Sequence, residues 1–232
     1  MAGKLYGVGV GPGDPELLTI KAKEVLEAAD VIAVPVKAAG EESTAFGIAK
    51  QAADLSGKQI LEVVFSMERS VVKREIYRKK AAEVLKAPLD AGMNVAMVVL
   101  GDISVYSTYV YVYRYIKDCG YETEMIPGIP SFCAGAAKAG VPLVEGNENL
   151  MIVSSLKNNH VLSDALEVCD NVVVMKAGNG MNYLPDVLEK ENLSDKTVVL
   201  SNVGMDNEYI GHPDKNAGYG YFTTLIVKKG GL

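Results

Sequence analysis

The sequence predicts an α/β protein built in two parts, and three observations carry that prediction. A short apolar run at residues 5–10 ends in a glycine/proline cluster and passes at once into helical spacing, the opening of a β-loop-α-β unit. Strand-like and helix-like segments then alternate as far as residue 140, the pattern of a parallel sheet with crossover helices. Beyond residue 147 strands dominate, and the last of them follows a glycine-rich turn instead of a helix. The boundary is placed in the polar Pro/Gly stretch at 142–147. This gives an N-terminal α/β domain of residues 1–143 and a C-terminal α/β domain of residues 144–232.

Within residues 16–29 apolar side chains fall at Leu17, Leu18, Ala22, Val25, Leu26 and Ala29, which is helical spacing. Residues 30–35 read as a second buried strand. A helix is expected over 44–55, a strand over 59–65, and a long polar-rich helix over 70–87 that stops at Pro88. Residues 94–100 form a buried strand, followed immediately by Gly101-Asp102. Spacing predicts a helix over 107–119, despite its tyrosines and β-branched residues, with Gly120 ending it. After a short strand at 122–126, Pro127-Gly128-Ile129-Pro130 opens a helix over 131–140. Strands are then expected at 149–155, 171–176, 197–203 and 221–229, the last antiparallel at a sheet edge. Short helices are expected at 163–168 and 183–189.

A chain of 232 residues, 49% hydrophobic and 22% charged, can bury a real core. Its formal charge of −6 argues against a nucleic-acid partner, and an anionic ligand would need a local basic patch. Cys119, Cys133 and Cys169 form no CxxC pair, and His160 and His212 lie far apart, so no protein metal site is expected. Few cysteines and no secretory segment point to the cytoplasm. The longest apolar runs, such as 95–100, are too short to span a bilayer, so no membrane association is expected.

The loop after the first strand, Gly7-Val-Gly9-Val-Gly11-Pro-Gly13-Asp14-Pro15, invites a dinucleotide reading, and Asp30 lies at about the distance that fold requires. The spacing fails. Counting from Gly7 and Gly9, the third glycine position is Pro12; counting from Gly9 and Gly11, it is Asp14. An acid at a helix entrance would also repel a pyrophosphate. The glycines therefore answer a need for unusual backbone angles or close approach. Asp14 followed by Pro15 also suits a helix start.

Five segments carry a family resemblance. They are VGVGPGDPELLTIKA at 8–22, VLGDISVYST at 99–108, PGIPSFCA at 127–134, VVMK at 173–176 and LSNVG at 200–204. In this order, through nearly the whole chain, they resemble the motifs of the tetrapyrrole (corrin and porphyrin precursor) methyltransferases. Val34-Pro35, Tyr106-Ser107-Thr108 and Pro142-Leu143-Val144-Glu145-Gly146 are similar to the branch that methylates C(20) of precorrin-2 or cobalt-factor II. The chain departs from the family in having Gly-Asp-Ile where Gly-Asp-Pro is common. It also lacks the usual Glu-Arg pair between residues 202 and 210.

The resemblance implies two α/β domains with a cofactor cleft between them, usually a homodimer, and S-adenosylmethionine as cofactor. It implies cofactor contacts from Pro12, Gly101, Asp102, Ile103, Tyr106, Ser107, Thr108, Ser131, Phe132, Met175, Val203 and Thr224. The substrate would be an anionic tetrapyrrole, either metal-free or carrying cobalt. Methyl transfer to an electron-rich ring carbon needs alignment first and a base for the departing proton second. Asp102, Asp14 and Tyr221 are the candidate catalytic residues, and Lys176 is a candidate partner for a substrate carboxylate. The densest basic cluster, Arg69, Lys73, Arg74, Arg78, Lys79 and Lys80, either guides an anionic macrocycle or forms a solvated helix face. Competing readings are another tetrapyrrole methylase (uroporphyrinogen III or a later precorrin), the diphthine-type branch, a nicotinamide oxidoreductase and a silent binding module.

Overall fold

The computed structural model describes residues 1–65, 70–154, 161–214 and 216–232. It divides into two compact units, Met1–Pro130 and Ser131–Leu232. The first unit contains a five-stranded sheet of order β3-β2-β4-β1-β5, with β1 Leu5–Gly9, β2 Val31–Val36, β3 Gln59–Val64, β4 Val95–Val99 and β5 Thr123–Ile126. All its neighbouring strands are parallel. Parallel strands need crossovers, supplied here by α1 Ile20–Ala28, α2 Thr44–Ala52, α3 Val71–Asp90 and α4 Tyr109–Asp118.

Period-2 alternation divides the apolar side chains between the two faces. Val8, Ile32, Val34, Ala96 and Val98 pack with Val25 and Leu26 of α1 and Ile48 and Ala49 of α2. Val31, Ala33, Val95, Met97 and Val99 pack with Leu85 and Leu89 of α3 and Val112 and Ile116 of α4. The connection leaving β1 thus goes to one face and the one leaving the adjacent β4 to the other. That divergence leaves a crevice at the carboxyl ends of β1 and β4, the place where open α/β sheets bind ligands.

The second unit orders its sheet β6-β7-β10-β8-β9, with β6 Leu150–Ser154, β7 Asn171–Met175, β8 Thr197–Ser201, β9 Tyr209–Gly211 and β10 Thr223–Lys228. α6 Val161–Val168 and α7 Leu184–Lys190 cover one face through Leu162, Leu184 and Leu188. α5 Ser131–Ala139 packs on β8, β9 and β10, which is why the units divide at Pro130/Ser131 and not at 143/144.

Four elements differ from expectation. The helix over 16–29 is broken into a single turn at Pro15–Leu17 and α1, because Leu18 and Thr19 are extended and the Thr19 hydroxyl accepts from Ala22 N at 3.1 Å as a new cap. α3 does not stop at Pro88 but runs through it to Asp90. Leu85 and Leu89 on either side are fully buried, and that packing outweighs the hydrogen bond proline cannot donate. β10 is not an edge strand: it lies antiparallel between β7 and β8, every residue buried. Its Thr-Thr-Leu-Ile-Val run is the continuous apolar pattern of a strand covered on both faces. The edges are β6 and β9, the latter a three-residue strand too short for any periodicity.

Candidate active site

In the first unit three loops converge at the carboxyl edge of the sheet. Gly11, at φ 80°, and Gly101, at φ 72°, exchange backbone hydrogen bonds (Gly101 N to Gly11 O at 2.7 Å, Gly11 N to Gly101 O at 3.2 Å). A Cβ on Gly9 would sit 2.6 Å from Gly128 N, and one on Gly128 would sit 2.2 Å from Gly101 O. The glycines of the first loop therefore serve backbone-to-backbone contact, not a phosphate. Pro12 is buried within this junction.

Asp102 closes the knot. Its Oδ1 accepts from Ser104 N at 2.8 Å and from the Ser104 hydroxyl, and its Oδ2 accepts from Gly128 N at 2.9 Å. Burial is the largest influence and pushes its carboxyl up, but the hydrogen bonds from Ser104, Gly128 and Ile103 together hold it below the ordinary carboxylate range. A carboxylate so fully engaged is a poor proton acceptor. Its arrangement is that of a strut tying the loop after β4 to the turn after β5.

The loop continues with Ile103 and Ser107 buried, and Tyr106 and Thr108 exposed. Tyr106 stands at φ 49°, a left-handed conformation costing about 1–3 kcal/mol for such a residue. The Ser107 hydroxyl accepts from Tyr109 N at 3.1 Å, so its capping role is real, whereas Thr108 makes no side-chain cap. Asp14 likewise caps, accepting from Glu16 N at 2.9 Å.

The second unit gathers its own set at one sheet edge. Met175 ends β7 directly opposite Thr224 of β10, and Thr224 lies opposite Leu200 of β8. Asn202 N donates to Phe222 O at 3.0 Å, which brings buried Val203 to the same edge. Tyr221 is 57% exposed there, its ring 5.4 Å from Phe222 and 5.6 Å from the Lys176 ammonium. Ser131 and buried Phe132 open α5 on the sheet's other side. The residues predicted as one site thus form two clusters, one in each unit.

The roles of Ser104, Gly128 and Glu208 escaped sequence reasoning. Ser104 and Gly128 fix Asp102; the Asp-x-Ser spacing of an Asx turn was the available signal for the first. Where the Glu-Arg pair is missing, Glu208 accepts from Gly204 N at 2.5 Å and pairs with Lys138 at 2.8 Å, holding the loop after β8 to α5. These contacts keep the Glu208 carboxyl below its ordinary range. Arg69 of the basic cluster and His160 lie outside the described residues. Among the described residues no helix is long and apolar enough to cross a membrane, and no group of three or more His, Cys, Asp or Glu side chains is placed to hold a metal.

The sequence profile of the tetrapyrrole (corrin/porphyrin) methylases matches residues 4–214. The chain belongs to that family. Among its relatives, the probable cobalt-precorrin-2 C(20)-methyltransferase of Methanocaldococcus jannaschii is 36% identical over 207 residues, covering 85% of this chain and 86% of that one. The cobalt-precorrin-2 C(20)-methyltransferase of Salmonella typhimurium is 28% identical, covering 99% and 98%. The uroporphyrin-III C-methyltransferase of Thermus thermophilus, solved with S-adenosylhomocysteine, superposes with a TM-score of 0.70 at 19% identity, covering 98% of each chain. That last likeness concerns the methylase fold alone.

Proposed function

We propose that this tetrapyrrole methylase transfers the methyl group of S-adenosylmethionine to C(20) of precorrin-2 or cobalt-factor II during cobalamin biosynthesis. The observation that carries the proposal is the 36% identity, over 85% of the chain, to a relative named for that reaction. Val34-Pro35 and Tyr106-Ser107-Thr108, which resemble the same branch, support it from within the sequence.

The residues fit the cofactor. A Cβ built on Gly101 meets nothing among the described residues closer than Ile129 O at 3.9 Å, so the loop presents an open, side-chain-free face beside its positive-φ glycine. S-adenosylmethionine supplies an electrophilic methyl on a sulfonium. In our reading Pro12, Gly101, Asp102, Ile103, Tyr106, Ser107 and Thr108 hold its amino-acid end, with Ser131 and Phe132 at the matching third motif. Met175, Val203 and Thr224 take the adenosine through backbone groups. Rigid presentation is what an in-line displacement asks of a protein, since alignment supplies much of the rate. Asp102 sets the loop and is not the base. Asp14 and Tyr221 remain the candidates for proton removal, Tyr221 by virtue of its exposure beside Lys176. The same reading has the enzyme act as a homodimer in the cytoplasm, which light scattering would test by a mass twice that of the chain.

The deciding experiment is anaerobic incubation with S-adenosylmethionine and, separately, precorrin-2, cobalt-factor II and uroporphyrinogen III, with products weighed and the new methyl located. One methyl at C(20) of either of the first two is expected. Methylation of uroporphyrinogen III alone, or of none, would sink the proposal.

A further inference from the structure

We propose that Arg74 and Arg78 of α3 form a carboxylate-binding subsite that takes an acidic side chain of the macrocycle at the rim of the first unit. The proposal rests on the reading above that the substrate is a polycarboxylate tetrapyrrole.

On α3 the residues facing the sheet recur at helical spacing: Ala81, Ala82, Leu85 and Leu89 are all buried in the core. Continued toward the amino end, the same stripe runs through Arg78 and Arg74, both half-buried, while Lys73, Lys79 and Lys80 are exposed. Because β3 is parallel to β1 and β4, α3 begins at the carboxyl edge of the sheet and runs back over it. The stripe is apolar where strands lie beneath it and becomes arginine at the edge where the loops after β1 and β4 gather. A solvated helix face would put its charges on the opposite side.

Two contacts locate and orient these arginines. The Arg78 guanidinium lies 3.4 Å from the centre of the Tyr111 ring. Tyr111 belongs to the first turn of α4, its N–H donating to Thr108 O at 3.2 Å, so Arg78 stands one helical turn from the 101–108 loop. A guanidinium stacked on an aromatic ring keeps its edge free for a planar, bidentate partner. Its one ion pair among the described residues is the 3.4 Å contact with Glu75, which also takes the Tyr115 hydroxyl. One long contact leaves most of the five guanidinium donors available. Arg74 stands one turn away on the same stripe. Its Nε is buried and finds no hydrogen-bond partner among the described residues. A buried donor left unmade is costly, and a carboxylate arriving between the two arginines would satisfy it.

The test is equilibrium binding of precorrin-2, under anaerobic conditions, to the S-adenosylhomocysteine-loaded protein, alongside steady-state methylation. Arg78→Gln is expected to weaken macrocycle binding about tenfold to a hundredfold, the range for a lost charge-assisted pair. It should raise KM in proportion, leave kcat within about twofold by the logic of uniform binding, and leave S-adenosylhomocysteine affinity unchanged. Arg78→Lys should recover only part of the loss, since an ammonium cannot bind bidentately. Lys80→Gln removes the same charge from the exposed face and should weaken binding by no more than about twofold, through the association rate alone. Equal losses in the Lys80 and Arg78 variants would reduce the effect to general electrostatics and overturn the subsite. So would unchanged binding in a folded Arg74→Gln/Arg78→Gln double variant. Should the arginine-to-glutamine proteins not fold, Arg78→Lys binding as tightly as wild type would overturn it too. A wild-type protein that binds no precorrin-2 would defeat both this inference and the proposed function, whereas binding indifferent to Arg78 defeats this one alone.

Discussion

At the scale of single residues, the candidate site turns on how a buried carboxylate is used. Asp102 accepts hydrogen bonds from two different loops and is held below its ordinary range by them, despite its burial. A depressed pKa in the folded state means stability that is present above the unfolded value of about 3.9 and is lost as pH falls through the folded value. Asp102→Asn should therefore destabilise the protein by about 1–3 kcal/mol at neutral pH, because one amide N–H would face a backbone donor. The gap between variant and wild type in urea denaturation should close as pH drops below about 4. A gap unchanged across that range would mean that the charge on Asp102 contributes nothing to the knot. The glycines beside it make a sharper case. A methyl on Gly128 would lie 2.2 Å from a carbonyl oxygen of the other loop, and backbone cannot swing aside as a side chain can. Gly128→Ala should cut turnover and S-adenosylhomocysteine affinity together by at least about tenfold, as a misplacement near 1 Å does. Calorimetric titration of that variant with S-adenosylhomocysteine checks it, and wild-type affinity would detach the junction from the cofactor.

At the scale of elements, the sequence made legible whatever depends on local pattern. All five strands of the parallel sheet and its four crossover helices follow from apolar runs and helical spacing, patterns that can be read without knowing which strands pair. What stayed hidden depends on distant partners. Nothing near Pro88 says that Leu89 will be buried tightly enough to carry the helix past it. Nothing near residue 223 says that β7 and β8 will flank β10. The motifs were legible as motifs, but the hydrogen bonding of Asp102 was not, because its donor Gly128 lies 26 residues away. The central position of β10 has a consequence at its far end. Lys228 is only 2% exposed, and its ammonium is 3.2 Å from Glu148, which also accepts from Asn171 at 2.8 Å. Those bonds, with the Glu145 N–H, hold the Glu148 carboxyl below its ordinary range. Among the described residues, Glu148→Ala would leave the buried ammonium with only the 3.9 Å contact to Glu145. It should lower the urea midpoint at unchanged slope, because the buried ammonium loses its nearest carboxylate. An unchanged midpoint would mean that water reaches Lys228 freely.

At the scale of the whole molecule, charge is distributed against its average. Residues 71–80 hold five basic side chains against the single Glu75, a local charge of +4 on a chain of formal charge −6, so the remainder carries −10. A polycarboxylate approaching the surface at large is repelled, and the amino half of α3 is where the field reverses. Such an arrangement steers an anion toward one edge of the first unit and raises its association rate more than its final affinity. The steering is long-ranged and should be screened, whereas the stacked Arg78 contact is short-ranged and should survive. Raising ionic strength from about 0.01 M to about 1 M shortens the Debye length from about 30 Å to about 3 Å. Over that span the macrocycle's association rate in stopped-flow should fall by about tenfold or more, with its dissociation rate changing far less. Neutralising Lys73, Lys79 and Lys80 to glutamine should flatten the salt dependence while preserving the dissociation rate. Arg78→Gln should do the reverse, leaving most of the slope and speeding dissociation. A slope carried by Arg78 and untouched by the three lysines would show that no field operates and that the basic helix acts by contact alone.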